Sequence, residues 1–160
     1  MAKFKISQTV HSEKVETVRL GLAGAANAYT YTENGKAVKL TAESRYELAV
    51  LGDLIEAFQQ SSNYPEQGTV EGFAIGGIVS TGYKEVTFDG LQGTPGVGAV
   101  VIGDYVVVGT VVARGTALTA PLRVCKATTQ GGATPYKARV MSLGDVGTGA
   151  VGTVGIVKLF

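Results

Sequence analysis

The stretch Leu51-Gly52-Asp53-Leu54 decides between a helical and a β-rich fold for this chain. The same Gly-Asp step recurs, each time between apolar residues, in Ile102-Gly103-Asp104-Tyr105 and in Leu143-Gly144-Asp145-Val146. Glycine tolerates a positive φ and aspartate hydrogen bonds to its own nearby backbone, so the pair is typical of a tight turn. Strand-compatible residues follow the first two copies, and the repeated turns therefore indicate many short strands.

Two interpretations compete for residues 41–60, which surround the first copy. Thr41 is a candidate helix cap, and apolar residues recur at helical spacing: Leu48, Leu51, Ile55 and Phe58. Gly52 would cost such a helix about 1 kcal/mol relative to alanine. The alternative is a turn at Gly52-Asp53 followed by a strand. The local pattern slightly favours the helix, whereas the matching turn at 103–104 favours the strand.

Further strands are predicted from the rest of the pattern. Residues 3–10 alternate between apolar and polar side chains, as in a half-buried strand. Glu33-Asn34-Gly35 between two β-prone runs, 29–32 and 36–40, predicts a hairpin. Additional strands are expected at 83–88, 99–102, 105–112, 122–125, 138–141 and 151–160. The predicted fold class is all-β, or β with one short helix, built as an antiparallel barrel or sandwich.

The composition predicts one domain with a partly covered surface. The 160 residues show no linker, and we expect a single β-rich domain with 1–27 as a candidate N-terminal arm and 28–160 as the barrel body. Charged residues make up 17% of the chain, against about 25% in an average domain. Both faces of the runs 99–102 and 105–112 are apolar. A second layer or another subunit is therefore expected to cover part of the protein.

Several function classes are disfavoured by charge and residue content. The net charge is +1 and no cluster of lysine and arginine occurs, so we expect neither a nucleic-acid partner nor a membrane partner. No apolar run approaches the length of about 20 residues that a membrane span needs. Cys125 is the only cysteine, which precludes an internal disulfide.

No catalytic, cofactor-binding or metal-ligating residue is predicted, and no cofactor. His11 is the only histidine and lies in a polar stretch, where an exposed or capping role is expected. Cys125 is expected in the core because it lies in an apolar run. Asp53, Asp104 and Asp145 are interpreted as turn residues rather than as a metal or acid site. We therefore do not expect an enzyme.

The chain resembles the small decoration, or cement, proteins of tailed-bacteriophage capsids. The likeness runs from about residue 35 to the C-terminus and lies in the order of these segments: Gly35-Lys36-Ala37-Val38-Lys39-Leu40, Ser44-Arg45-Tyr46-Glu47-Leu48-Ala49, Gly52-Asp53-Leu54-Ile55-Glu56-Ala57-Phe58, Gly72-Phe73-Ala74-Ile75-Gly76-Gly77 and Ile102-Gly103-Asp104-Tyr105-Val106-Val107.

The resemblance implies a barrel or tulip-like body without catalysis, with a strand at residues 53–60. It implies a structural virion protein that binds the outer capsid surface and stabilises the shell by bridging capsomers. The implied partners are the major capsid protein and further copies of the chain, as a homotrimer or alternatively a dimer. The implied location is the outer surface of the virion, after assembly in the host cytoplasm.

The N-terminal strand is a candidate contact with other chains. We hypothesise that residues 2–10 add to a strand of a neighbouring subunit or of the shell, the alternative being pairing within their own sheet. The candidate contact residues are Lys3, Phe4, Lys5, Ile6 and Val10.

Two other functions remain as alternatives. One is a carbohydrate-binding or ligand-binding β module of the head-fibre or adhesin type, which would use exposed tyrosines: Tyr29, Tyr31, Tyr64, Tyr83 and Tyr105. The other is an enzyme, which is disfavoured because the chain has few residues that could cooperate in a catalytic site.

Overall fold

The computed structural model describes residues 15–21, 33–42, 44–61, 67–68, 73–131, 133 and 135–160. These residues form an all-β fold, as the sequence predicts. The strands are β1 (Val15–Leu20), β2 (Ala37–Leu40), β3 (Tyr46–Leu48), β4 (Ala57–Ser61), β5 (Gln67–Gly68), β6 (Phe73–Val79), β7 (Gly82–Leu91), β8 (Thr94–Pro95), β9 (Val106–Val108), β10 (Leu122–Lys126), β11 (Ala138–Ser142) and β12 (Val154–Leu159).

The first sheet closes on itself because β1 pairs on both sides. Its strands follow the order β1-β3-β2-β4-β6, with β5 added to β6, and β1 also pairs with β6. The β1–β6 pairing runs from Val15↔Val79 to Leu20↔Ala74. The β1–β3 pairing consists of the single pair Leu20↔Tyr46. We call these five strands, β1, β2, β3, β4 and β6, ring 1.

The second sheet has the order β11-β12-β7-β10-β9, with β8 on β7. A bridge between Tyr105 and Arg139 connects the residues before β9 to β11. The sheet edges β9 and β11 are thereby joined, and the five strands form a second closed unit, which we call ring 2. Closure removes the free sheet edges that otherwise invite pairing with other chains.

Most strand pairs are antiparallel, as predicted, but each ring also contains one parallel pair. β10 pairs with β7 in parallel, and so does β1 with β3. A parallel pair needs a long connection between its strands. Residues 92–121 provide that connection between β7 and β10, and they carry β8 and β9 on the way.

The two rings share one apolar core. Ring 2 is filled from alternate positions of its strands, by Val86, Phe88, Val106, Val108, Leu122, Val124, Ala138, Val140, Val157 and Leu159. Ala37, Ala49, Ile55 and Phe58, from ring 1 and the turn between β3 and β4, belong to the same cluster. One end of ring 1 therefore packs against ring 2. A smaller cluster, Leu20, Val38, Ala57 and Ile78, lies apart from it and draws on four strands of ring 1.

The apolar outer face of β9 is covered by the chain itself. Val107 packs with Cys125 and Ala127, and the partly buried Leu54, Tyr105 and Tyr136 lie against them. The sequence predicts that a second layer or another subunit covers the run 105–112. At Val107 this cover comes from the same chain. Farther along the same run, Val111 and Val112 are 42% and 37% exposed.

The helical interpretation of residues 41–60 is wrong. The described residues of this segment form β3, a turn at 50–53 and β4. The turn forms instead of a helix because the Gly52 N–H donates to the Val108 carbonyl oxygen of ring 2 at 2.8 Å. This is a tertiary contact, which the local sequence pattern does not contain. The strand implied at 53–60 begins only at Ala57.

Four of the other predicted strands are confirmed, as β7, β10, β11 and β12. Residues 99–102 are not a strand, because the run ends in the turn at 101–104. The run 105–112 is a strand only over Val106–Val108. At Asn34-Gly35 a turn is present, with the Lys36 N–H donating to the Glu33 carbonyl oxygen at 3.1 Å. The expected hairpin partner, 29–32, lies outside the described residues.

The predicted N-terminal arm, 1–27, lies mostly outside the described residues as well. Within it, residues 15–20 form β1 of ring 1. The body predicted for 28–160 contains all the other strands.

Candidate functional site

The first Gly-Asp step forms a tight turn at residues 50–53, which we call turn 1. The Asp53 N–H donates to the Val50 carbonyl oxygen at 2.9 Å, and the Val50 N–H donates to Oδ2 of Asp53 at 2.8 Å. Gly52 has a φ of +85°, a conformation that disfavours any side chain. Glycine therefore shapes this turn and aspartate closes it.

The second step forms the same turn at residues 101–104, which we call turn 2. The Asp104 N–H donates to the Val101 carbonyl oxygen at 3.1 Å, and the Val101 N–H donates to Oδ2 of Asp104 at 2.9 Å. The φ of Gly103 is +95°. The two turns agree in backbone and in side-chain hydrogen bonding.

Turn 1 docks on a buried valine of ring 2. The Gly52 N–H donates to the Val108 carbonyl oxygen at 2.8 Å, and the Val108 N–H donates to the Asp53 carbonyl oxygen at 3.0 Å. Turn 1 therefore fastens ring 1 to β9 through backbone groups.

Turn 2 docks on ring 2 in the same way. The Gly103 N–H donates to the Val140 carbonyl oxygen, and the Val140 N–H donates to the Asp104 carbonyl oxygen, both at 2.9 Å. This pair of bonds lies beside the Tyr105–Arg139 bridge and closes ring 2.

A lysine neutralises the carboxylate of each turn. Lys39 Nζ lies 2.7 Å from Oδ2 of Asp53, and Lys126 Nζ lies 3.0 Å from Oδ2 of Asp104. Both carboxylates are thus engaged by a backbone N–H and an ammonium group. The interpretation of Asp53 and Asp104 as turn residues is confirmed. Among the described residues, no group of three or more His, Cys, Asp and Glu is placed to hold a metal ion.

A long polar side chain also covers each glycine. Gln92 Nε2 donates to the Gly52 carbonyl oxygen at 3.2 Å, and Arg139 Nε donates to the Gly103 carbonyl oxygen at 2.8 Å. These bonds satisfy the glycine carbonyls, which the turn leaves pointing outward. Each turn is thereby held from both sides.

The third Gly-Asp step forms a different turn. The Gly144 N–H donates to Oγ of Ser142 at 3.1 Å, and the Gly147 N–H donates to the Gly144 carbonyl oxygen at 3.3 Å. The glycine N–H that docks turns 1 and 2 on ring 2 is satisfied locally here. The shared dipeptide therefore does not predict a shared role.

Turns 1 and 2 expose apolar side chains at their tips. Val50 and Leu51 are 53% and 44% exposed, and Val101 and Ile102 are 56% and 63% exposed. We call Val50 and Leu51 tip 1, and Val101 and Ile102 tip 2. The hydrogen bonds at the base of each turn hold both tips in place.

Tip 2 belongs to a larger, mostly apolar surface, formed by residues 92–104 and 143–153, which we call the distal end. These loops lie beside the second half of β7: the Gly96 N–H donates to the Asp89 carbonyl oxygen at 2.7 Å, and the Gly152 N–H donates to the Phe88 carbonyl oxygen at 2.8 Å. The two loops meet where the Val100 N–H donates to the Gly149 carbonyl oxygen.

The distal end exposes apolar side chains almost without charge. Its exposed large apolar residues are Val97, Val101, Ile102, Val146 and Val151. Asp104 and Asp145 are its only charged residues, and it contains no aromatic residue. Interface cores share this depletion of charge. In the run 99–102, which was predicted as a strand covered by a second layer or another subunit, Val100 is buried whereas Val101 and Ile102 are exposed in the single chain.

A buried ion pair anchors the loop 109–121 at the junction of the rings. Lys36 Nζ lies 2.9 Å from Oε2 of Glu33 and donates to the Ala113 carbonyl oxygen at 3.0 Å. Oε1 of Glu33 accepts the Gly115 N–H at 2.6 Å. A cavity of about 230 Å³ lies beside this loop, lined mostly by apolar residues that include Leu48, Val50, Val111, Val112 and Leu118. This pair was not predicted from the sequence, where its only signal is the spacing of three residues between Glu33 and Lys36.

Cys125 lies in the core, as predicted. Its side chain is completely buried, and burial, with a smaller contribution from the charge of Asp89, raises the pKa of its thiol to about 11. A thiol with such a pKa stays protonated at neutral pH and is a poor nucleophile.

The predicted contact residues Lys3, Phe4, Lys5, Ile6 and Val10 lie outside the described residues, as does His11. Of the tyrosines proposed for ligand stacking, the structure describes Tyr83 and Tyr105. Tyr105 stacks on Tyr136 with 5.6 Å between the ring centroids, and Tyr83 lies under Lys158. Tyr29, Tyr31 and Tyr64 lie outside the described part of the chain.

Comparisons with protein-family models, curated proteins and solved structures find no match for this chain. In the part of the chain that the structure describes, no helix is long and apolar enough to span a membrane.

Proposed function

We propose that this chain is a structural decoration protein, which binds the outer surface of a bacteriophage capsid through its distal end and bridges capsomers. The observation that carries the proposal is the exposed, nearly charge-free surface of Val97, Val101, Ile102, Val146 and Val151. Large exposed apolar patches on soluble proteins often mark sites of contact with another protein. A surface depleted of charge fits a lasting contact with another protein.

The closed rings support contact through loops and side chains. In the described part of the chain, the edges of ring 2 are joined through Tyr105 and Arg139, and β9 is further covered by turn 1 at Val108. A partner that added a strand to ring 2 would have to break these bonds. The distal end offers apolar side chains without such a cost.

Self-association belongs to the same proposal. A chain with 17% charged residues has few charges to keep copies apart, and we propose a homotrimer, with a dimer as the alternative. Residues 2–10 remain the predicted strand-addition contact. Assembly would take place in the host cytoplasm, and the protein would function on the virion.

A carbohydrate-binding module is the second candidate, and one cluster favours it. Phe160 is 57% exposed and Tyr83 is 36% exposed, and Lys158 Nζ lies over both rings, 4.5 Å from the centroid of Phe160 and 5.6 Å from that of Tyr83. Exposed aromatic rings are the surface on which sugars stack. A glycan array with the Phe160→Ser variant as control tests this function.

Cosedimentation with capsids that lack the protein tests the main proposal. The capsids come from a deletion mutant of the phage that encodes the chain. We expect the wild-type protein to pellet with them and a Val101→Ser/Ile102→Ser variant to bind much more weakly. The control is Leu40→Ser, which removes an apolar side chain that is 50% exposed in ring 1.

Equal unfolding temperatures would establish that both variants fold. The proposal is wrong if the wild-type protein stays in the supernatant, or if the double variant binds as well as the Leu40→Ser control.

A further inference from the structure

We propose that a cavity beside Lys84 binds a small carboxylate that carries a short apolar chain. The cavity has a volume of about 240 Å³ and lies where the turn at Asn34-Gly35, the first half of β7 and the residues just before β10 meet. This site belongs to the single chain, and the proposal does not depend on capsid binding.

The strand pattern places the side chain of Lys84 on the core side of β7. Side chains alternate along a strand, so Lys84 shares a face with Val86 and Phe88, which belong to the core that fills ring 2. Its Nζ lies 5.6 Å from the centroid of the Phe58 ring, which belongs to the same core. A Cβ added to Gly35 would lie 3.5 Å from this Nζ. The ammonium group therefore lies beside the Gly35 turn, at the wall of the cavity.

Lys84 differs from three other lysines in its lack of an ionic partner. Nζ of Lys36, Lys39 and Lys126 each lies within 3.0 Å of a carboxylate oxygen. In the part of the chain that the structure describes, the ammonium of Lys84 makes neither a hydrogen bond nor an ion pair. Burial lowers the pKa of Lys84, and the charge of Glu85 opposes this with a smaller effect. Because a partly buried cation without a counterion is unfavourable, a bound anion would stabilise it.

The polar groups of the cavity favour a carboxylate over a phosphate. Lys84 supplies one positive charge, and the carboxylate of Glu85, which also lines the cavity, would repel a dianion. The Gly35 N–H already donates to the Gln59 carbonyl oxygen at 2.7 Å. It is therefore not available for a nest of backbone N–H groups, which is how many proteins bind phosphate.

The rest of the wall is mostly apolar and suits a short hydrocarbon chain. It is formed by Leu118, Ala120, Pro121 and Leu122. Apolar walls with a few placed polar groups are typical of small-molecule sites. At roughly 30 Å³ per molecule of liquid water, the cavity has the volume of about eight waters, which is enough for butyrate. Asn34 and Ala120, which line the cavity, are exposed, so a solute can enter.

Titration of the isotope-labelled protein with butyrate, acetate and phosphate at constant ionic strength, followed by NMR, tests the site. We expect butyrate to shift the amide signals of Gly35, Leu118 and Leu122. It should bind about tenfold more tightly than acetate, because its longer chain buries more apolar surface. Shifts confined to other parts of the protein, no binding of butyrate, or tighter binding of phosphate would overturn the proposal.

Three variants test whether the charge and the cavity both contribute. We expect Lys84→Met to weaken butyrate binding at least tenfold. Lys158→Met is the matched control, because it removes the same charge from β12, where Lys158 lies over Tyr83 and Phe160 outside the cavity. Ala120→Phe changes an exposed residue of the wall, retains Lys84 and should also weaken binding at least tenfold by filling the cavity.

Unfolding temperatures establish which of these variants fold. If Lys84→Met does not fold, Ala120→Phe decides in its place. The proposal is wrong if a folded Lys84→Met or Ala120→Phe variant binds butyrate as well as the wild-type protein does, or if Lys158→Met weakens binding as much as Lys84→Met.

Discussion

Turn 1 and turn 2 have the same local geometry and connect different parts of the molecule. Turn 1 lies between β3 and β4 and fastens ring 1 to Val108 of ring 2, whereas turn 2 lies within ring 2 and closes it at Val140. The comparison shows that a turn of this geometry presents the glycine N–H and the aspartate carbonyl to a neighbouring strand edge, whichever ring that edge belongs to. Burial distinguishes the two turns: the side chain of Asp104 is 11% exposed, and that of Asp53 is 24% exposed.

Removal of the carboxylates of Asp53 and Asp104 should have the largest effect on the stability of the protein. We expect Asp104→Ala to lower the free energy of unfolding by about 2–3 kcal/mol, because the Val101 N–H and Lys126 lose a charged partner in a buried site. Asp53→Ala should cost about 1–2 kcal/mol, since water reaches that site more easily. Urea denaturation measures both values.

Asparagine variants at the same positions are the control for this prediction. They retain an acceptor for the valine N–H and lose the ion pair, so they should be less destabilised than the alanine variants. If Asp53→Ala and Asp104→Ala lower the free energy of unfolding equally, the difference in burial between the two aspartates does not determine their contributions.

Substitution of the turn glycines, Gly52 and Gly103, should have the next largest effect on stability. Gly52→Ala and Gly103→Ala should each cost about 1–2 kcal/mol, because a side chain is strained at positive φ. An added Cβ would also meet Gln92 Nε2 at 2.9 Å in turn 1 and Arg139 Nη2 at 3.2 Å in turn 2. Thermal unfolding measures the loss, at about 2–4 °C per kcal/mol for a chain of this size.

Gly147→Ala is the control for the glycine variants. Its φ is +67° and no atom lies within 4 Å of the added Cβ, so it reports the backbone strain alone. If Gly147→Ala lowers the unfolding temperature as much as the turn variants do, the contacts with Gln92 and Arg139 contribute nothing.

Replacement of the lysines that pair with the turn aspartates should have the smallest effect on stability. Lys126→Met and Lys39→Met should each cost about 0.5–1 kcal/mol, because partly exposed ion pairs are weak. The loss should be larger for Lys126, whose partner is better buried, and it should shrink at high salt. Urea denaturation at low and high salt measures it; a loss that does not depend on salt would point to packing of the lysine stem instead of charge.

Local patterns were sufficient where the deciding contact lies close in sequence. The turn at 103–104 rests on a bond between residues three positions apart, and β10, β11 and β12 coincide with apolar runs of the sequence. At 52–53 the local pattern favours a helix, and the contact between Gly52 and Val108 decides for the turn. Patterns failed where the contact is distant. Val101 and Ile102 lie in a run as apolar as a buried strand and are exposed, whereas Glu33 and Lys36 are as polar as a surface turn and are buried.

The sequence by itself determined that this chain is rich in short strands and that its Gly-Asp steps are candidate turns, because tolerance of a positive φ and a carboxylate that bonds three residues back are local properties. Only the tertiary structure decided which turns dock on a strand edge and which apolar residues remain exposed. The reason is that an edge offers its N–H and carbonyl groups only after distant strands have paired. Turns 1 and 2 find such an edge at Val108 and Val140, whereas Gly144 bonds to its neighbour Ser142.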